Sequence, residues 1–117
     1  MNIEAIREYC LSLPNTSECF PFDNTTLVFK VGTKMFGLVK LEQPFSMNLK
    51  CEPERAIELR EQYTFVKPGF HMNKKHWNTI DDIEQVPSHQ LKSFINDSYN
   101  LVFKSLTKKE RDNILMT

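Results

Sequence analysis

A chain of 117 residues, 40% hydrophobic and 26% charged, is long enough to bury one core and too apolar for a disordered segment. Its formal net charge of zero sets it apart from strongly basic nucleic-acid scaffolds and from acidic tails. Three widely spaced cysteines, Cys10, Cys19 and Cys51, give neither a disulfide framework nor a zinc knuckle, and no apolar run approaches the roughly 20 residues of a membrane span.

The chain starts directly on an amphipathic pattern, without the succession of a signal peptide. The expectation is one cytoplasmic, monomeric domain over residues 1–117. Residues 2–13 predict a helix, with Ile3, Ile6, Cys10 and Leu13 on one stripe, Asn2 as N-cap and Pro14 as the stop. Residues 14–24 read as a loop in which Phe20-Pro21-Phe22 plugs the edge of the core. Residues 25–31 and 34–41 predict two strands joined by a tight Gly32-Thr33 turn. A third strand over 45–51 sets Phe45, Met47, Leu49 and Cys51 against Ser46, Asn48 and Lys50.

Pro53 opens a second helix at its favoured first position, with Ala56, Leu59 and Tyr63 as the buried stripe and Ile57 beside them. Residues 64–81 predict two short strands around irregular turns, with the polar Asn73–His76 stretch as a hairpin tip or a bulge. Ser88 is the expected N-cap of a long helix through Leu106, and Thr107 with Glu110 forms a capping box for a last helix over 108–115. The order αβββαββαα predicts an α+β two-layer sandwich: an antiparallel sheet with helices packed on one face.

Charge alternates along this order. Glu4, Glu8, Glu18 and Asp23 outweigh Arg7 in residues 1–23, and Lys30, Lys34, Lys40 and Lys50 outweigh Glu42 in 24–51. Lys67, Lys74 and Lys75 meet no acid between Tyr63 and Ile80, and Asp81, Asp82, Glu84 and Asp97 follow. If sheet and helices form separate layers, the sheet face is expected to be basic and the helix face acidic.

The densest chemistry lies in residues 68–80, PGFHMNKKHWNTI, which hold the only Trp and two of the three His. With IEAIREYCLSLP, the FPF loop, LVFKVGTKMFGL, NLKCEPERAIELRE and the later DSYNLV, this stretch resembles the MmcQ/YjbR family of small bacterial proteins over nearly the whole chain. Thr33 stands where a second Gly is expected in the wing turn, and Phe70 where a Tyr is commoner. The resemblance implies a frataxin-like (CyaY-like) α+β fold and a double-wing DNA-binding role in which two β-hairpins act as wings.

On that reading Lys74 and Lys75, then Lys34, Lys30 and Lys67, contact phosphates, and Asn73 and Asn78 contact phosphates or base edges. Arginine, the usual base reader, is missing from both wings, so contacts are expected to be mainly non-specific. The alternative is a non-enzymatic module for a small anionic molecule or an acidic protein partner, centred on His71–Asn78 with His71, His76 and Trp77 as the site. His71 and His76 lack a third ligand at metal spacing and lie beside lysines, which gives no metal site and implies no cofactor. No nucleophile elbow, phosphate loop or carboxylate pair supports catalysis, and Cys51 falls on the buried side of its strand.

Overall fold

The computed structural model describes residues 1–116. Its elements are α1 (Ile3–Ser12), β1 (Thr16–Cys19), β2 (Thr26–Val31), β3 (Lys34–Lys40), β4 (Ser46–Lys50), α2 (Pro53–Gln62), β5 (Val66–Pro68), β6 (Trp77–Ile80), a 3-10 turn (Ile83–Gln85), α3 (Ser88–Ser105) and α4 (Lys108–Leu115). Six strands form one antiparallel sheet in the order β1-β2-β3-β4-β6-β5. The class is α+β, as the sequence pattern implies, with one strand more than expected.

That strand is β1, inside the stretch read as loop. Thr16-Ser17-Glu18-Cys19 has no apolar alternation because it is an edge strand, held by backbone pairing to β2. Asn15 turns the chain into it at φ 56°, a left-handed conformation that Asn tolerates better than most residues.

The helix boundaries follow local chemistry. The Asn2 carboxamide accepts from Ala5 N at 2.8 Å, Pro53 occupies the first turn of α2, and the Thr107–Glu110 capping box is formed. Ser88 is not the cap of α3: Pro87 holds that place without a side-chain hydrogen bond. Ile57 stands exposed rather than in the core.

All helices contribute to one core on one face of the sheet. Leu27, Phe29 and Val31 of β2 and Met47 and Leu49 of β4 meet Ile6, Cys10, Ala56, Leu91, Ile95 and Val102 of the helices there. Burial drives the Cys10 thiol up to about 12 and raises that of Cys51, so neither is a ready thiolate at neutral pH. A bulge in β3 leaves Phe36 without a cross-strand partner on β2. The fully buried Ser98 of α3 repairs the ladder there, donating to Phe36 O at 2.5 Å and accepting from Lys50 N at 2.8 Å. Gly37 follows the bulge, and a Cβ there would lie 2.8 Å from Met47 Cε, so the flexible end of the Met47 side chain would have to move aside.

Candidate functional site

Among the described residues, no helix packs on the other sheet face. One cross-strand row runs over all six strands: Cys19, Val28, Leu38, Asn48, Thr79 and Lys67. Because side chains alternate along a strand, Lys30, Lys40, Lys50 and Lys67 share this face, one from each of β2, β3, β4 and β5. The face divides into two ends with different chemistry.

At one end lies an open cleft of about 820 Å³. Leu38, Asn48 and Thr79 are part of its lining, as are Phe22, from the connection before β2, and Phe70, from the connection after β5. These two rings are 63% and 60% exposed, among the most exposed large apolar side chains of the chain. Phe20 is half exposed as well, so the Phe-Pro-Phe element does not plug the core edge. Its aromatic surface is turned outward instead.

Phe70 is fixed in place from below. Its N–H donates to Thr79 Oγ1 at 2.8 Å, its carbonyl accepts from Asn48 Nδ2 at 3.2 Å, and Thr79 Oγ1 donates to Asn48 Oδ1 at 2.5 Å. The His71 ring lies 4.0 Å from the Phe70 ring, on a residue held at φ 58°. Two exposed ion pairs border the cleft: Lys67–Asp81 at 2.6 Å and Lys40–Glu42 at 3.7 Å. Asp23, also in the lining, binds the Thr25 and Thr26 backbone N–H groups, which holds its carboxyl below the usual range.

At the other end Lys50 sits opposite Trp77 and Lys30 opposite Met35. His76 is one residue beyond, its carbonyl accepting from Cys51 N at 2.8 Å, and the exposed Lys75 follows. Among the described residues, the ammonium groups of Lys30, Lys50 and Lys75 have no ion-pair or hydrogen-bond partner. Lys30 and Lys50 are uncommitted cations of this face, and Lys75 is an uncommitted cation of the connection that leads into β6.

The residues singled out from sequence are therefore not one constellation. Lys34 points to the helix side, where its ammonium donates to Ser105 O at 2.9 Å at the end of α3. Lys74 donates to Gly69 O at 3.2 Å, and Lys67 is paired with Asp81. Asn73 uses its carboxamide oxygen on Lys75 N at 3.0 Å to shape the turn. Asn78 contradicts its expected role as a nucleic-acid contact: it is 2% exposed, with Oδ1 accepting from Arg60 Nε at 2.7 Å and Nδ2 donating to Ala56 O at 3.3 Å. Of His71, His76 and Trp77, only His71 lines the cleft.

Arg60 is the residue that the sequence pattern missed. From the last turn of α2 its guanidinium reaches Asn78, Lys74 O and, at 3.3 Å, Trp77 O. It clamps residues 74–78 from behind. The only sequence signal was Asn78 itself, a carboxamide sharing a strand face with Ile80 and so in need of a buried partner.

The expected charge layers are also revised. The strands carry Lys30, Lys34, Lys40, Lys50 and Lys67 against Glu18 alone. The helices balance their own acids and bases. The compensating negative charge lies mostly on connections, at Asp23, Glu42, Glu52, Asp81, Asp82 and Glu84. The sheet is basic, but the helix layer is neutral rather than acidic. No helix among the described residues is long and apolar enough to cross a membrane.

Comparison with known proteins agrees with this architecture. A family model described as YjbR matches residues 11–101. The uncharacterised protein YbdF of Escherichia coli O157:H7 is 37% identical over 113 residues, covering 95% of this chain and 92% of that protein. YjbR of Escherichia coli K12 is 30% identical over 112 residues, with 95% of each covered. The crystal structure of the Deinococcus radiodurans protein DR2400, described as a DUF419 domain, superposes with a TM-score of 0.88 at 40% identity, over 97% of this chain and 87% of that one. A Pseudomonas syringae protein shares the fold at 24% identity and a TM-score of 0.75, over 87% of this chain and 99% of that one.

Proposed function

The chain belongs to the YjbR family, and from that premise we propose that it acts in the cytoplasm, as a monomer, by binding nucleic acid through the helix-free face of its sheet. The contacts are mainly to phosphates and weakly selective for sequence. The observation that carries this reading is the placement of Lys30 and Lys50 at one end of that face, with the exposed Lys75 two residues before β6, and no acid among the described residues engaging their ammonium groups. Each such ammonium releases condensed counterions when it meets a phosphate. The double-wing picture changes in one respect: the β2–β3 hairpin contributes its strand face through Lys30, not its tip through Lys34. The frataxin-like kinship of the fold belongs to the same proposal.

The small excess of positive charge on this face limits affinity, so binding falls steeply with salt. Replacing Lys30, Lys50 and Lys75 singly by Ala lowers the slope of log affinity against log salt by about one contact each. Lys34→Ala leaves it unchanged, because that ammonium is engaged with α3. Fluorescence anisotropy of labelled oligonucleotides across a salt series, with heparin as competitor, makes the comparison. Equal slopes for all four variants would remove the proposal.

A second reading rests on the cleft. About 820 Å³ with an aromatic and polar lining is the size and composition of a small-molecule site.

A further inference from the structure

We infer that the cleft takes a flat, nitrogen-bearing aromatic ring of nucleobase type against Phe22 and Phe70, either an unpaired base of a single strand or the base of a free nucleotide. The inference deepens the proposed nucleic-acid reading and rests on it for the single-strand case.

Three observations support it. First, Phe22 and Phe70 expose most of their surface in one cleft although they come from connections at opposite ends of the strand order. Aromatic faces are sequence-tolerant platforms for bases. Second, the Phe70 platform is preorganised. Thr79 and Asn48 fix its backbone on both sides, and the neighbouring His71 ring restricts it further. Little ordering then remains to oppose stacking.

Third, the polar groups around the rings suit a base edge and its phosphate. Ser46 and Thr25 line the cleft; the Ser46 hydroxyl can donate or accept, as a base edge demands, whereas the Thr25 hydroxyl already donates to Asp23 and can only accept. Lys40 and Lys67 are held by exposed ion pairs to Glu42 and Asp81, which contribute little, so either ammonium can turn to a phosphate oxygen, with both carboxylates and Asp23 still in the lining.

The test uses the full chain as wild type, Phe22→Ala, Phe70→Ala and the double variant. Both rings are exposed, so these variants are expected to fold, and thermal unfolding checks it. Anisotropy and calorimetry are run with an oligothymidylate strand, a duplex of the same length and a thymidine monophosphate.

The expected result is that the single strand binds more tightly than the duplex and loses about tenfold or more in the double variant, while duplex affinity stays within about twofold. Mononucleotide binding that disappears in the double variant would equally support the inference and identify the free nucleotide as the source. Single-strand affinity unchanged in the double variant, or lowered no more than duplex affinity, would overturn the inference and leave phosphate binding standing. Wild-type protein that binds none of the three would overturn both.

Discussion

The β2–β3 and β5–β6 hairpins both carry lysines next to their turns, yet they are anchored in opposite ways. The first is a tight hairpin whose tip is docked onto the helix layer. Thr33 Oγ1 donates to Glu110 Oε1 at 2.7 Å, Lys34 donates to Ser105 O, and Gly32 faces Leu106 at the α3–α4 corner. The second has a long connection, residues 69–76, that folds back over the helix-free face. Arg60 holds it from the helix side, and Asn48 with Thr79 holds it from the sheet. A lysine at a turn is therefore not by itself a surface probe. At the first hairpin it closes a helix end, and at the second Lys75 remains open to a partner.

Breaking the second anchor has the largest expected effect. Asn78→Ala removes the acceptor that Arg60 meets inside the protein, and a hydrogen bond to a charged group is worth about 1.5–3 kcal/mol. Stability in urea should fall by about that amount, with faster hydrogen exchange in residues 69–77. Loss of stability without that local exchange would mean that Arg60 does not clamp the connection.

Gly32→Ala tests the first anchor. Gly32 sits at φ 57° and a Cβ would lie 3.3 Å from Leu106 Cδ1, so strain of about 1–2 kcal/mol is expected. The thermal midpoint should drop by several degrees, while nucleic-acid affinity measured below it stays unchanged. A matching loss of affinity would restore the hairpin tip as a contact.

The smallest effect concerns pH. The Thr33 hydroxyl and the Thr107 cap hold the Glu110 carboxyl below its ordinary value of 4.5. A carboxyl with a lowered folded-state pKa stabilises above its unfolded pKa, and that contribution disappears as pH falls through the folded value. Wild type should thus lose slightly more stability than Thr33→Val as pH drops below about 4.5. Identical pH profiles would show that the latch carries no charge-dependent stability.

Much of the fold is legible in sequence where the signal is local. Asn2, Pro53 and the Thr107–Glu110 box mark helix starts through groups within one turn, and alternation in 25–51 places the strands that flank the core. β1 escaped because an edge strand needs no apolar face. Ser98 lies fully buried on α3, but its task depends on a β3 bulge that no local pattern announces.

The site was less legible because composition does not say which charges are already engaged. Lys34, Lys67 and Lys74 look identical to Lys30 and Lys75 in sequence, and differ only in the tertiary partners they meet. Asn78 is instructive in the other direction. Its alternation with Trp77 and Thr79 already put it on the Ile80 side, so the strand period outweighs the polarity of the side chain. Phe22 and Phe70, in irregular connections, follow no period at all.

The most direct test of the account is a titration of isotope-labelled protein with a single-stranded oligonucleotide, followed by amide chemical shifts at moderate salt. Saturable shifts at Lys30, Lys50, Phe70, His71 and Lys75, with α1 and α4 unmoved, are the predicted result. Shifts confined to the Gly32-Thr33 turn and α4, or none that saturate, would contradict the assignment of the helix-free face as the binding surface.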